Sequence, residues 1–104
     1  MAMDGGDNTG TIDCRLIRAV GRVQGVGYRQ ACVRHARALG ITGWVRNRLD
    51  GSVEAMLQGS PNQIAHMCDW LRSGVPGARV SSLEVKEVPR PFDRLAVFER
   101  QPTV

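Results

Sequence analysis

The sequence predicts an α+β fold of the ferredoxin-like type, a split β-α-β sandwich in which an antiparallel sheet carries two helices on one face. Glycine and proline residues divide the chain into six short elements in the order β α β β α β, followed by a short extra strand. Two of these elements show the 3.6-residue apolar period of a helix. With 104 residues, 42% of them hydrophobic, the chain can bury one two-layer core.

The first half of the chain is predicted to form a strand, a helix and a hairpin. The strand covers about 13–20, and a glycine-rich turn separates it from a helix over 28–39 that stops at Gly40. The apolar face of this helix comprises five residues: Tyr28, Cys32, His35, Ala36 and Leu39. Strands over 41–48 and 52–58 follow, joined by an Asp-Gly pair that favours a tight hairpin. Val53, Ala55 and Leu57 are expected to face the core.

The second helix opens with a capping box, in which Ser60 is the N-cap and Gln63 reaches back to it. Its core face is an i, i+3, i+4, i+7 stripe of Ile64, Met67, Cys68 and Leu71, and Gly74 ends it. Strands over 79–88 and 95–99 complete a single domain over 13–104. Residues 1–12 contain too few apolar groups to offset the entropy of ordering, so they are expected to form a disordered leader.

Composition bears on compartment and partners. Three cysteines without a C-x-x-C spacing indicate neither a disulfide framework nor a zinc ribbon. The chain has no signal-peptide pattern and no run of 18 apolar residues, so we expect a cytoplasmic protein with no membrane partner. The net charge of +4 is compatible with an anionic partner and also with a role in solubility alone.

The most informative stretch is residues 21–29, GRVQGVGYR, between the first strand and the first helix. Three glycines in seven residues let the backbone curl with its amides pointing inward, an arrangement that binds anions. The loop leads into a helix N-terminus, and Arg29 stands in the first turn with its planar set of donors. The spacing fits neither an ATP loop nor a dinucleotide loop. The loop therefore favours phosphate, although the glycines alone also suit a plain strand-to-helix connection.

These residues resemble the acylphosphatase family, whose hallmark is a G-R-V-Q-G-V-x-[FY]-R loop followed by G-W-V-R-N and D-G-S-V-E. Here the three segments are residues 21–29, 43–47 and 50–54, in the family's order and spacing, and the resemblance covers about 15–98. Tyr28 stands where Phe is more usual, a change expected to matter little. The segment GVPGARV lacks the family's frequent double proline, which affects a distal loop.

The resemblance implies a hydrolase that needs neither metal nor cofactor and cleaves acyl phosphates to a carboxylate and inorganic phosphate. Arg29 and the loop would bind the phosphate, and Asn47 would hold the attacking water. The substrate-binding loop would comprise Gly21, Arg22, Val23, Gln24, Gly25, Val26, Gly27 and Tyr28. The implied partners are a small acyl phosphate and inorganic phosphate or sulfate in the loop, and the chain is expected to act as a monomer.

The chemistry agrees with these residue types. A carboxylate leaving group has a pKa of about 4, so it departs without a general acid. Asn47 cannot act as a base, which leaves a phosphate oxygen or solvent to take the proton of the water. Asp50 is expected to serve the hairpin. The pairs Cys32 with His35 and His66 with Cys68 lie within amphipathic helices and are interpreted as packing residues rather than metal ligands.

Several points stay open at the level of sequence. Trp44 and Trp70 are interpreted as packing residues, whereas three arginines either attract the anionic substrate or form a solvated face: Arg22, Arg46 and Arg48. An RNA-binding domain is disfavoured because its stacking aromatics are absent, and no nucleic-acid partner is expected. The sequence also leaves open a phosphate sensor without turnover and a domain resembling part of a larger carbamoyl-transfer protein. Nothing in the sequence selects the acyl group.

Overall fold

The structure, a computed structural model of the chain, describes residues 12–104. The predicted leader, residues 1–12, lies outside the described residues except for its last one. The elements are, in chain order, β1 (Asp13–Arg22), α1 (Tyr28–Leu39), β2 (Thr42–Asn47), β3 (Val53–Gly59), α2 (Pro61–Ser73), β4 (Arg79–Glu87) and β5 (Phe98–Arg100). Within the described residues no helix is long and apolar enough to cross a membrane.

The five strands form one sheet in the order β4-β1-β3-β2-β5. The first four strands pair antiparallel, as predicted, with β1 and β2 on either side of β3. The fifth departs from the predicted antiparallel sheet, because β5 pairs parallel with β2. Residues 88–97 cross from the β4 edge to the β2 edge at the end of the sheet where β2 begins, so β5 enters there and runs alongside β2.

Gln58 of β3 holds this crossing segment in place. Its Nε2 donates to the carbonyl oxygen of Asp93 at 2.7 Å, and its Oε1 accepts from the backbone N–H of Leu95 at 2.9 Å. The side chain is almost fully buried, so both of its polar ends are satisfied by the segment that covers it. The last strand consequently begins at Phe98, later than the predicted 95–99, because residues up to 97 belong to the crossing.

The core lies between the sheet and the two helices, which pack against each other on one face. The prediction for β3 is confirmed, since Val53, Ala55 and Leu57 are 2%, 3% and 0% exposed. The predicted stripe of α2 is buried in full, and Tyr28, Cys32 and Ala36 are the buried residues of α1. Trp44 instead lies half-buried outside this core, with the Arg46 guanidinium 4.5 Å from its ring centroid.

The capping box of α2 is present as predicted. The Ser60 hydroxyl accepts from the Gln63 backbone N–H at 3.2 Å, and Gln63 Oε1 accepts from the Ser60 backbone N–H at 2.8 Å. Gln63 Nε2 also donates to the carbonyl oxygen of Leu39, the last residue of α1, at 2.8 Å. One side chain therefore satisfies a donor at the start of α2 and an acceptor at the end of α1.

Tyr28 joins the two helices at their other ends. Its buried hydroxyl donates to the carbonyl oxygen of Leu71 at 2.8 Å, within the last turn of α2, where carbonyls have no partner inside the helix. Burial raises the pKa of Tyr28 well above its usual value, so the hydroxyl stays protonated and remains a donor. Contrary to the expectation that Tyr in place of Phe matters little, the hydroxyl forms a buried link that a phenyl ring cannot form.

Tyr28→Phe is expected to lower the free energy of unfolding by about 1–2 kcal/mol, because it removes a hydrogen bond and leaves a buried carbonyl unpaired. The melting temperature should fall by about 4–8 °C for each kcal/mol. Thermal unfolding followed by circular dichroism measures this change. An unchanged melting temperature would contradict the proposed link.

His35 of α1 packs on α2 rather than at a metal site. Its ring stacks on Trp70 with centroids 3.9 Å apart and planes 8° from parallel, and the His66 ring lies 6.3 Å away. His35 Nε2 is buried and has no hydrogen-bond partner in the described chain. Burial first, and then the nearby His66, lower the pKa of His35. The folded protein therefore favours the neutral ring.

Stability should depend on pH through His35. In the unfolded chain its pKa is about 6.5, so between that value and the lower folded pKa the unfolded chain binds the extra proton. The contribution of neutral His35 to the free energy of unfolding is complete above about pH 6.5 and is lost as the pH falls through the folded pKa of His35. Melting temperatures of wild type and His35→Gln, measured from pH 7.5 to about 5, should show a shallower acid decline in the variant. Parallel curves would refute this assignment.

Candidate active site

A cavity of about 110 Å³ opens at the end of the sheet where β1 and β2 finish. Nine residues line it: Val23, Gln24, Gly25, Gly27, Tyr28, Arg29, Gln30, Asn47 and Arg100. Seven of them belong to the site predicted from the sequence, so the fold brings the loop, Arg29 and Asn47 together. Gln30 and Arg100 were not predicted; Arg100 is some 70 positions from the loop, and no local pattern marks it.

Three residues of the predicted loop lie away from this cavity. Gly21 and Arg22 belong to β1 and pair with β4 beyond a register shift. Gly21 has a φ of 133°, and a Cβ atom there would collide with the carbonyl oxygen of Arg79, so this glycine serves close strand packing. Val26 is partly buried against the core. The lining part of the loop is therefore 23–29 without Val26.

The loop backbone leaves amides free at the start of α1. Gly25 and Gly27 have φ values of 75° and 78°, in the left-handed region that favours glycine, and open space surrounds both positions. The first helical bond runs from the Ala31 N–H to the Gly27 carbonyl oxygen, so the amides of residues 28–30 have no acceptor within the helix. No side chain of the described chain caps α1, and its first turn carries no acidic residue. Such a terminus favours an anion.

Gln24 ties the loop to the β2–β3 hairpin. Its Nε2 donates to the carbonyl oxygens of Arg48 and Ser52, both at 2.9 Å. These two residues also bond to each other across the turn, from the Arg48 N–H to the Ser52 carbonyl oxygen at 2.9 Å. The predicted loop residue Gln24 thus acts through its side chain as a clamp, which fixes the loop relative to the hairpin that follows Asn47.

Asp50 shapes the hairpin, as predicted. Its Oδ1 accepts from the backbone N–H and the hydroxyl of Ser52 at 2.9 and 2.6 Å, and its Oδ2 accepts from Arg18 at 3.0 Å. The bonds from Ser52, followed by that from Arg18, hold the pKa of Asp50 well below its usual range. The carboxylate therefore stays ionised and engaged in the turn. It does not line the cavity.

Asn47 ends β2 with its side chain at the cavity. The backbone carbonyl oxygen of Asn47 accepts from the Val104 N–H at 3.2 Å, and the Val104 carbonyl oxygen accepts from the Leu49 N–H at 2.8 Å. The C-terminal residue therefore holds the backbone at the end of β2. The side-chain Oδ1 is buried and has no hydrogen-bond partner in residues 12–104. An unpaired buried acceptor costs about 1–3 kcal/mol, so this atom is poised to accept a hydrogen bond from a bound molecule.

The structure sorts the arginines near the motifs. Arg46 and Arg48 both contact Oε1 of the buried Glu54, at 2.8 and 3.2 Å, and neither lines the cavity. Arg22 is exposed and also lies off the cavity. Among the described residues Arg29 has no carboxylate within 4.0 Å. Its positive charge is thus uncompensated at the cavity.

Other surface depressions have a different character. A depression of about 380 Å³ lies between α2 and the β4 side of the sheet, where its cations already have partners: Arg15 pairs with Asp13 and Arg72 with Asp69. The 110 Å³ cavity is therefore the candidate site because of its chemistry rather than its size. No group of three or more potential metal-ligating His, Cys, Asp or Glu side chains occurs in the part of the chain that the structure describes.

Fold and cavity together define a ferredoxin-like sandwich with a glycine-rich loop, an arginine and an asparagine at one end of its sheet. The family model for acylphosphatases matches residues 16–99. The acylphosphatase of Polaromonas naphthalenivorans is 61% identical over 98 residues, which cover 94% of this chain and 97% of that protein. The solved acylphosphatase of Coxiella burnetii superposes with a TM-score of 0.83 at 29% identity, covering 92% of this chain and 99% of that one.

A longer protein contains a similar unit. HypF of T. kodakarensis superposes with a TM-score of 0.72 at 31% identity, but the match covers 86% of this chain and 12% of HypF. The matched family model and the highly identical relative place the chain in the acylphosphatase family, whose members hydrolyse acyl phosphates. The predicted family, fold and enzyme class are confirmed.

Gln24→Ala is expected to lower kcat by roughly ten- to a hundredfold, because a small misplacement of groups at a reacting centre has effects of this size. Ser81→Ala is the matched control, since it removes one side-chain bond to a backbone carbonyl (Val20, 3.0 Å) on exposed β4. Its kcat should stay near that of wild type. Equal kcat values for Gln24→Ala and Ser81→Ala, with both variants folded, would rule out the clamp.

Proposed function

We propose that this chain hydrolyses acyl phosphates by direct in-line attack of a water molecule, with Arg29 and the loop amides holding the phosphate and Asn47 positioning the water. The observation that carries the proposal is the convergence of these groups on one small cavity. Residues from a loop, a helix and a strand end meet there, although Arg29 and Asn47 are 18 positions apart in the sequence. Family membership supports the reaction, and the geometry supports the roles.

Phosphate binding is assigned to Arg29 and the amides at the start of α1. A planar guanidinium donates two parallel hydrogen bonds to a phosphate and carries the opposite charge. In a loose phosphoryl-transfer transition state, charge spreads over the three equatorial oxygens, and donors held in advance stabilise it without reorganisation. The glycine-rich loop supplies such fixed donors, and Gln24 holds the loop in place.

Water positioning is assigned to Asn47. Its unpaired Oδ1 would accept one O–H of the water, which leaves an oxygen lone pair free to point at phosphorus. The new O–P bond forms as the bond between phosphorus and the acyl oxygen breaks, and the carboxylate departs with that electron pair. The proton of the water passes to a phosphate oxygen, so the products are a carboxylate and inorganic phosphate.

The lining residues suit a leaving group that needs no help. None of the nine is Asp, Glu, His, Lys or Cys, and the buried Tyr28 hydroxyl already donates to the Leu71 carbonyl oxygen. The cavity therefore offers no free general acid and no conventional metal ligand except amide oxygens. A carboxylate with a pKa of about 4 leaves unprotonated at neutral pH. Catalysis then consists of positioning and electrostatic stabilisation. The proposal includes full activity in the presence of EDTA.

The first experiment is hydrolysis of benzoyl phosphate by the purified chain, with and without EDTA. We expect turnover in both conditions. Loss of activity in EDTA that zinc or magnesium restores would contradict metal independence. A chain that binds inorganic phosphate but turns over no acyl phosphate would instead be the phosphate sensor that the sequence left open.

Replacing Arg29 and Asn47 by Ala separates the two roles. Arg29→Ala should weaken inhibition by inorganic phosphate and also lower kcat, because the contact exists in the ground state and the transition state. Asn47→Ala should lower kcat by roughly a hundredfold, about 3 kcal/mol, and leave the phosphate inhibition constant nearly unchanged. Circular dichroism confirms folding. Folded Asn47→Ala with near wild-type kcat would overturn the role in water positioning.

A further inference from the structure

A second depression, of about 340 Å³, adjoins the candidate active site along α1 and β5. Six residues line it: Gln30, Val33, Arg34 and Arg37 of α1, and Glu99 and Arg100 of β5. Gln30 and Arg100 also line the 110 Å³ cavity, so the two spaces meet at these side chains. A molecule whose phosphate occupied the cavity would pass these two side chains to reach the groove. We name this depression the α1–β5 groove.

The groove has a fixed frame. Its four helical residues stand at positions i, i+3, i+4 and i+7, which form one face of α1. Arg37 donates from Nε and Nη2 to the carbonyl oxygen of Phe98, at 3.2 and 2.9 Å, and so ties the last turn of α1 to the start of β5. Phe98 is itself 2% exposed. The spacing between α1 and β5 is thus set by two hydrogen bonds to one carbonyl oxygen and by core packing.

The groove carries a net positive charge. Three arginines and one glutamate line it, which gives a formal charge of +2. None of these four side chains forms an ion pair within the described residues. The cations of the 380 Å³ depression beside α2, by contrast, already pair with neighbouring aspartates. The α1–β5 groove therefore presents positive charge that the protein does not neutralise.

We propose that the α1–β5 groove binds the acyl part of the substrate and selects acyl phosphates whose acyl group carries a second anionic group, such as a terminal carboxylate. This inference rests on the proposed function. Arg100 stands where the two spaces meet, and Arg34 lies four residues, a rise of ~6 Å, beyond Gln30 along α1. A short aliphatic chain between the phosphate and the second anion covers a distance of this order.

In the proposed function the 110 Å³ cavity contacts the phosphate, which all acyl phosphates share. Discrimination among acyl groups must therefore arise outside this cavity. Exposed charge pairs are individually weak and are screened by salt. The preference should therefore be modest, roughly three- to tenfold in kcat/KM, and should shrink as ionic strength rises. Arg34 acts here as a specificity-determining residue, since it lines the groove but not the phosphate cavity.

The test compares succinyl phosphate with butyryl phosphate, which have four-carbon acyl chains and differ in the terminal carboxylate. Wild type should favour succinyl phosphate, with the ratio of kcat/KM values falling between about 0.02 and 0.5 M KCl. Arg34→Glu should reduce the ratio to about one or below, because it lowers kcat/KM for succinyl phosphate and leaves kcat/KM for butyryl phosphate unchanged. Glu99→Gln should raise the ratio, because it removes the negative charge of the groove.

Arg72→Glu is the matched control, because Arg72 is an exposed arginine on α2 that lines neither space. It makes the same change in net charge and should leave the ratio near the wild-type value. Equal ratios for the two substrates with wild type, or equal losses in Arg34→Glu and Arg72→Glu, would overturn the groove assignment. Turnover of butyryl phosphate in those cases would leave the proposed function intact.

Failure to hydrolyse either substrate would count against the proposed function. In that case, the binding of two carboxylates tests the groove separately. Succinate and butyrate are titrated calorimetrically into the chain at saturating inorganic phosphate. Tighter binding of succinate, lost in Arg34→Glu and kept in Arg72→Glu, supports the groove. Equal binding of the two carboxylates overturns it.

Discussion

The candidate site depends on the pairing of two strands with a common neighbour. β1, which leads into the loop, and β2, which ends at Asn47, do not pair with each other; both pair with β3. Val53 of β3 is registered with Ala19 on one side and with Asn47 on the other. The buried central strand therefore sets how far the loop lies from Asn47, and Gln24 bridges the remaining gap through two backbone carbonyls of the hairpin.

The two helices differ at their N-terminal amides, which have partners at α2 and no side-chain cap within the described chain at α1. At α2, Ser60 and Gln63 supply a complete capping box from the chain itself. At α1, Gly27 occupies the N-cap position in a left-handed conformation and offers no side chain. An anion in the loop would complete the α1 terminus as the capping box completes that of α2. In the proposed function, phosphate binding and helix capping would thus be the same interaction at α1.

Local patterns predicted most of the fold, and contacts remote in sequence account for the rest. The bounds of α1, the buried stripe of α2 and the hairpin role of Asp50 follow from periodicity, capping and turn chemistry. The parallel β5 follows from the crossing segment that Gln58 anchors, and no sequence pattern reports that anchor. Arg100 reaches the cavity only because β5 pairs with β2. Gly21 was predicted to bind substrate because it belongs to the loop motif. In the structure it instead allows close packing of β1 against β4.

With the proposed groove, the distribution of charge would let a small fold combine a general reaction with a preference among substrates. The number of basic residues alone does not show which arginines are available to an anion. Arg46 and Arg48 form ion pairs with Glu54, whereas Arg29 has no such partner among the described residues. In the proposed function Arg29 holds the phosphate that every acyl phosphate shares, so it would not discriminate among acyl groups. Arg34 lies five residues further along α1 and lines the groove that we propose for the acyl group. A single helix would therefore present one arginine to the common part of the substrate and another to the variable part, and changing the second would leave the phosphate contacts of the first in place.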